Sequence, residues 1–415
     1  MNKFFRLYPF CIYEETLYNA CIYNLSNGDV IKVSDDYRNF LHNCEIEIKP
    51  VDDKYKYIAI DLQNKGLGKI YDNKIYSCYL HEGLELEEEL EFKTNNTLMT
   101  LFLEITTKCN LDCEFCHYPN SFMRRTGCSR DKSETVMTPE IGKKAIQEAA
   151  KLGAKQIVFI GGEPSLYINN IKEFVDCGEK CGINNFILYT NGYQINDKFL
   201  NYIQNKNFMV NLQIISLNSK DAITITGHTD YVEAIKKTLS NLDITNLYIT
   251  VLIGEKNKNA FNNIHDYIST KYPSAYINKE FIYPGTDFDY SLDDKTALKI
   301  PRLKKVNVVG YSENLKHHNC FSKSISVSAN GNILPCIMLK NNVLGNITDN
   351  KLSTILYQDA YFKYKYLSKS RINPCNLCAY RFSCSDCRAI NKSLYNEAYC
   401  NIADFISSRE RKNSP

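Results

Sequence analysis

Cysteine constrains this chain more than any other feature. Seventeen cysteines occur in 415 residues, and they are gathered rather than scattered. One knot holds Cys109, Cys113 and Cys116, a second runs from Cys375 to Cys387, and Cys320, Cys336 and Cys400 are disposed around the latter. An odd count without an export signal implies reduced thiols, and reduced thiols in tight groups imply metal. The N-terminus MNKFFRLYPFCIYEE is interrupted by Arg6, Pro9, Glu14 and Glu15, unlike a signal peptide, and no apolar run approaches the roughly 18 residues of a membrane span. A cytoplasmic protein with no membrane partner is expected. Lysine plus arginine at 50 against aspartate plus glutamate at 47 gives +3, so no nucleic-acid partner is expected either. With 44% hydrophobic and 23% charged residues, the composition is that of a globular chain of two or three domains.

Three regions follow, 1–94, 95–300 and 301–415. The first carries a strand pattern at 18–25, an Asn27-Gly28-Asp29 turn, a strand pattern at 30–33 and a helix opened by Ser34 or Asp35. It closes with the acidic run at 85–91, which reads as a solvated face or linker. The second alternates strands at 101–106, 157–160, 186–189, 210–217, 247–253 and 276–283 with helical patterns, the first opened by Thr138-Pro139-Glu140 and closed by Gly153 and later ones at 171–180, 230–242 and 261–271. Such a βα succession builds a parallel sheet, either a partial barrel or an open sheet. The third is loop-rich, with a hairpin signal at Ala329-Asn330-Gly331-Asn332, and is expected to need metal to fold.

The first knot, Cys109-x3-Cys113-x2-Cys116, directly follows a predicted buried strand, where α/β folds keep their sites. Three thiolates on a 4Fe-4S cluster leave one iron open to an outside ligand, whereas a structural zinc would need a fourth protein ligand such as His117 or Cys128. At the end of the next strand stands Gly161-Gly162-Glu163-Pro164, glycines that allow close backbone approach and a carboxylate able to accept from an ammonium group.

The Cys-x3-Cys-x-Phe-Cys loop, the Gly-Gly-Glu-Pro turn and the run Met137-Thr138-Pro139-Glu140 together resemble a radical S-adenosylmethionine enzyme over about residues 98–290. The resemblance implies that Cys109, Cys113 and Cys116 hold the catalytic cluster and that the open iron binds the methionine end of the cofactor. It further implies that Glu163 and the backbone of Gly161 and Gly162 contact the amino group, with Pro164 completing the turn and Phe115 near the adenine. Asn191 and Ser216, in Thr190-Asn191-Gly192 and Ser216-Leu217-Asn218, stand where the family's third and fourth strand ends line the cofactor pocket. No catalytic acid or base is identified.

Cys320, Cys336, Cys375-x2-Cys378-x5-Cys384-x2-Cys387 and Cys400 read by themselves as one or two zinc ribbons. The array resembles a SPASM domain, which carries auxiliary 4Fe-4S clusters after a radical SAM barrel. By that resemblance Cys375, Cys378, Cys384 and Cys400 hold one cluster, and Cys320, Cys336 and Cys387 the other, with His317 or His318 as an alternative fourth ligand to an open iron. The two-residue spacing between Cys384 and Cys387 departs from the usual three. Of the seven cysteines left over, Cys11, Cys21, Cys44, Cys78, Cys128, Cys177 and Cys181, most are expected as buried small hydrophobes, Cys128 being a candidate for the active site, while Arg124, Arg125 and Arg130 read as solvated.

The expected fold is therefore α/β: a partial (β/α)6 radical SAM barrel, a small N-terminal winged-helix-like leader-recognition domain, and a C-terminal cysteine-rich SPASM domain. The expected cofactors are three 4Fe-4S clusters and S-adenosylmethionine. The expected function is maturation of a ribosomal precursor peptide bearing a leader, by thioether or carbon–carbon cross-linking, with an external one-electron reductant such as flavodoxin or ferredoxin. The alternatives are formylglycine formation of the anaerobic sulfatase-maturase type, whose base would be an aspartate where Ile337 stands, and a non-catalytic iron-sulfur or zinc scaffold.

Overall fold

The computed structural model describes residues 3–76, 79–80, 98–117, 122–123, 134–206, 208–242, 244–283, 303–391, 393–396 and 400–413. Cys78, Cys128, Arg124, Arg125, Arg130 and the acidic run at 85–91 lie outside them. The chain packs as two compact units, one of Met1–Lys93, Lys299–Asn319 and Lys365–Pro415, the other of Thr94–Leu298 and Cys320–Tyr364.

In the first unit, β1 (Phe4–Leu7) pairs antiparallel with β5 (Gly68–Tyr71), and β2 (Cys11–Glu15), β3 (Ala20–Asn24) and β4 (Asp29–Lys32) form an antiparallel meander. The expected turn joins β3 to β4 with Gly28 at φ 82°, and the expected helix is Asp35–Leu41. Apolar side chains of both sheets and of helix Lys56–Asn64, among them Phe5, Leu7, Ile22, Phe40, Ile58 and Leu62, make one core. β1 and β2 had no clear strand signal because Arg6 and Pro9 interrupt the pattern. Arg6 is nonetheless buried, donating to the carbonyls of Cys44 and Glu45 at 3.0 Å each and lying 3.5 Å from the Glu45 carboxylate. A second core joins Ile12, Cys21 and Tyr23 to Val306, Tyr311, Ala379 and Phe382, so the meander packs on residues of the cysteine-rich tail.

In the second unit, six parallel strands lie in sequence order: β6 (Thr100–Thr106), β8 (Gln156–Gly161), β9 (Asn185–Thr190), β10 (Met209–Ile214), β11 (Leu247–Ile253) and β12 (Tyr276–Tyr283). The short β7 (Phe122–Met123) pairs antiparallel with β12. These strands and their crossover helices form the expected partial barrel. Leu101, Leu103, Ile105, Ile157, Phe159, Leu188, Leu212 and Ile249 share a core with the helical residues Ala145, Ile146, Phe174 and Ile264. Each such side chain contributes about 1.5–3 kcal/mol when fully buried. Residues of opposite parity, including Val158 and Ile160, belong to a separate small cluster with Leu334 and Ile337. Thr138 caps helix Pro139–Lys151, its hydroxyl accepting from the Ile141 amide, with Pro139 in the first turn as its type and position require.

The hairpin signal is met by β13 (Ser324–Val327) and β14 (Asn332–Leu334), with β15 (Gly345–Asn346) beside them. This hairpin extends the barrel sheet, β13 running parallel to β6 from Ser324↔Thr100 to Val327↔Leu103. Glu104, 1% exposed within β6, explains part of that attachment: its carboxylate accepts from the Ala329 amide at 3.1 Å and from Lys340 Nζ at 2.8 Å. Helices Asp197–Asn205 and Ser219–Thr226, not foreseen from periodicity, are opened by the side-chain caps Asn196 and Asn218.

Candidate active site and cluster-binding loops

The residues expected to bind cofactor stand at the C-terminal ends of successive barrel strands, where the chain leaves the sheet and backbone groups are not committed to strand pairing. β6 ends at Thr106 and runs into the cysteine loop; β8 ends at Gly161 and enters the Gly-Gly-Glu-Pro turn; β9 ends one residue before Asn191; and β10 ends two before Ser216.

The first two loops are locked together by backbone. The Gly162 amide donates to Thr106 O at 2.7 Å, and the Glu163 amide to Lys108 O at 2.8 Å. A Cβ on Gly161, at φ 151°, would fall 2.2 Å from Thr106 O, and one on Gly162 2.2 Å from Lys108 O. Neither position has room for a side chain, because what it would strike is backbone. Glu163 is fully buried, and its carboxylate accepts from the Ser165 amide (3.0 Å), Thr190 Oγ1 (2.7 Å) and the Asn191 amide (2.8 Å). Burial raises its pKa, and the same hydrogen bonds oppose the rise. Glu163 thus fastens the turn after β8 to the end of β9. Pro164 starts the short 3-10 helix Pro164–Tyr167, for which Glu163 is the cap.

The cysteine loop is held from the β9 end as well. Asn191 Nδ2 lies 3.5 Å from Cys109 Sγ and 2.9 Å from Asn110 Oδ1, Asn110 donates to Tyr193 O at 2.7 Å, and the Leu111 amide approaches Cys109 Sγ at 3.5 Å. Cys113 and Phe115 are buried in the barrel core, while Cys109 and Cys116 are half-buried at its edge. N–H groups converging on a sulfur stabilise it as thiolate, the form that ligates iron, so this donor set fits a cluster. Ser216 Oγ accepts from the Asn218 amide at 3.0 Å, and Asn218 caps a helix with its side chain, which accounts for asparagine at that position. Asn110 was missed in the sequence, since a single polar residue beside a motif carries no signal of its own, and Thr190, named there only as part of a strand end, donates to Glu163.

The second group is assembled in the other unit. Cys375, Cys378, Cys384 and Cys400 line one small cavity together with Lys369, Tyr380, Arg381 and Ile402. Thiols arranged around a void fit a polynuclear cluster, whose irons lie between them. Around this cavity runs a buried ionic group. Asp386 lies 2.6 Å from Lys369 Nζ, 2.5 Å from Arg388 Nε and 3.0 Å from His318 Nε2. Burial opposes ionisation of Asp386, but Lys369, Arg388 and His318 outweigh it and hold its pKa well below the carboxylate range. His318 is committed to Asp386 through Nε2, and His317 Nδ1 lies 3.0 Å from Lys365 O. Cys387 belongs to this unit, whereas Cys320 and Cys336 belong to the barrel unit. Among the cysteines expected as core residues, Cys11, Cys21 and Cys44 are buried, and Cys177 and Cys181 are half-buried.

Among the described residues no helix is long and apolar enough to cross a membrane. Residues 103–268 match the radical SAM superfamily, and residues 320–387 match an iron-sulfur cluster-binding domain, SPASM. The radical SAM cyclopropyl synthase TigE of Paramaledivibacter caminithermalis is 26% identical over 351 residues, 75% of this chain and 72% of that protein. A GTP 3',8-cyclase of Tolumonas auensis is 27% identical over 33% of this chain and 38% of its own length. In fold, the chain is similar to anSMEcpe with bound AdoMet, with a TM-score of 0.53 and 15% identity over 75% of this chain and 91% of that one. Iron-sulfur clusters of the 4Fe-4S type and S-adenosylmethionine are the cofactors that these two domains use. A three-thiol loop locked to a glycine turn at the rim of a parallel barrel, followed by a second cysteine array, is thus the framework of an S-adenosylmethionine-dependent enzyme, and the chain carries a radical SAM domain followed by a SPASM domain.

Proposed function

We propose that this enzyme is a peptide maturase, which modifies a ribosomally made precursor peptide by forming a thioether or carbon–carbon bond. The observation that carries the reading is the backbone lock between the Cys109–Cys116 loop and the Gly161–Pro164 turn. Cys109, Cys113 and Cys116 would hold a 4Fe-4S cluster, which would supply the one-electron reduction of S-adenosylmethionine on which radical chemistry at the substrate depends.

The chain's own part is to hold and to orient. The amides of Gly162 and Glu163 are engaged with Thr106 and Lys108, which fixes the turn against the cysteine loop. Asn191 and the Leu111 amide direct N–H groups at Cys109 Sγ, donors that suit a thiolate ligand. Val158, Ile160, Leu334 and Ile337 form a buried apolar cluster of their own. Ile337, 4% exposed in that cluster, stands where the base of a formylglycine-forming enzyme would be, and this favours bond formation between residues. The name of the relative TigE, a cyclopropyl synthase, favours the carbon–carbon branch.

Strand β4 lies at the edge of its sheet with partly exposed residues, a template on which a leader peptide adds as a further strand. A cytoplasmic setting, which keeps the thiols reduced, and an electron donor such as flavodoxin or ferredoxin complete the reading. The test is the intact mass of a small peptide encoded beside this gene, co-expressed anaerobically with the enzyme or with its Cys113→Ala variant. Loss of two hydrogens per event, absent in the variant, is expected. Conversion of a cysteine to an aldehyde would replace the reading by formylglycine formation, and an unchanged peptide would remove this substrate.

A further inference from the structure

The second cysteine group is surrounded by charge that the cysteines themselves do not explain. Lys369 lines the cavity of Cys375, Cys378, Cys384 and Cys400 and is 6% exposed in its side chain. Its ammonium donates to the Cys384 carbonyl and lies 2.6 Å from Asp386. Arg388, with a fully buried side chain, lies against the other oxygen of the same carboxylate and donates to the carbonyls of Leu394 and Asn396. Lys369 is the member of this group that lines the cavity, a buried cation at the wall the four cysteines share. A buried charge is stabilised by an opposite charge that faces it. A cubane on four thiolates is such a charge, a dianion when oxidised and a trianion when reduced.

A second contribution comes from the N-terminal meander. Asn19, in the turn before β3, donates from Nδ2 toward Cys378 Sγ at 3.6 Å, while its Oδ1 accepts from the Ala379 amide at 2.6 Å. Tyr23 and Cys21 of β3 both donate to Ala379 O, at 2.6 and 3.3 Å. Glu14 of β2 pairs with Arg381 at 2.9 Å. The segment that follows Cys378 is therefore fastened to the meander through both groups of the Ala379 backbone.

We propose that Lys369 and Asn19 set the reduction potential of the cluster held by Cys375, Cys378, Cys384 and Cys400, which makes the N-terminal sheet part of that cluster's redox control. The inference rests on the reading of these four cysteines as cluster ligands. Positive charge and N–H donation to a ligand sulfur both favour the form with one more negative charge, so both residues raise the potential. They are positioning residues, acting on the cluster and touching no substrate.

The experiment uses the full-length chain, anaerobically reconstituted, with Cys109, Cys113 and Cys116 replaced by alanine so that only auxiliary signals remain. The signal under study is the one abolished by Cys375→Ser in a potentiometric titration followed by electron paramagnetic resonance. Lys369→Met is expected to lower the reduced-to-oxidised ratio at fixed potential at least tenfold, a 59 mV negative shift for one electron. Asn19→Leu is expected to shift it in the same direction by less, and Lys369→Arg to keep the wild-type value. Unchanged midpoints in Lys369→Met and Asn19→Leu, with iron content intact, would overturn the proposal. If Lys369→Met fails to hold the cluster, Lys369→Arg decides: a retained cluster at the wild-type potential supports the charge argument, and a lost one overturns it. If Cys375→Ser removes neither iron nor signal, the ligand assignment itself fails, which is distinguishable from a cluster that is present but indifferent to its surroundings.

Discussion

Replacing Gly162 by alanine tests whether the catalytic loop and the cofactor turn act as one piece. The added Cβ would lie 2.2 Å from Lys108 O, 2.5 Å from Lys108 C and 2.7 Å from Thr107 O. An ordinary contact there is about 3.4 Å or more, so the turn and the loop must part by roughly 1 Å. No side-chain rotation relieves the clash, because all three atoms are backbone. Parting the loops stretches the bonds from Gly162 N to Thr106 O and from Glu163 N to Lys108 O, about 0.5–1.5 kcal/mol each, and overpacking adds about 1–3 kcal/mol. The expected loss is about 2–6 kcal/mol in the barrel unit. Lys108 directly precedes Cys109, the first of the proposed cluster ligands, and a misplacement of about 1 Å at a reacting centre costs roughly 100-fold in rate. The assay is anaerobic 5'-deoxyadenosine formation under a chemical reductant, alongside iron content and thermal unfolding of the apoprotein. Wild-type stability together with wild-type cleavage would refute the lock.

Three further outcomes follow from the same geometry. Glu163→Gln should remove a pH dependence: burial raises the Glu163 carboxyl above its ordinary 4.5, so its ionisation weakens the fold as the pH climbs from 4.5 through the raised value. Wild-type stability relative to the variant should fall over that interval in chemical denaturation, and a flat difference would refute the assignment. Lys340→Met removes the cation beside buried Glu104; because Lys340 is 34% exposed in its side chain, the expected cost is about 1–3 kcal/mol, read as faster amide exchange in β13 and β14. Asn191→Leu deletes the donor to Cys109 Sγ and Asn110 Oδ1 and the acceptor of the Tyr193 amide. It should cost about 1–3 kcal/mol and lower the iron bound by the reconstituted chain.

Most of the barrel was legible because its signals are local. The strands at 247–253 and 276–283 coincide with β11 and β12, since continuous apolar or β-branched runs have few alternatives to a buried strand. The cysteine loop and the glycine turn were legible for a chemical reason: three thiols at that spacing and two glycines before a carboxylate are needed by a reaction rather than by packing. The strands 4–7 and 11–15 were not, because Arg6 and Pro9 interrupt their pattern and the partners that accept the buried Arg6, at Cys44 and Glu45, are distant in sequence.

Residue types and spacing alone determined the βα succession and the two domains that the chain carries, because those properties are written within a few consecutive residues. Tertiary structure alone decided that Glu163 uses its carboxylate to join two strand ends, that the hairpin at 324–334 extends the barrel sheet, and that Asn19 reaches a cysteine more than three hundred residues away. Each of these depends on hydrogen bonds between groups remote in sequence, and the partner of a buried polar group is set by which elements pack together, not by its neighbours along the chain.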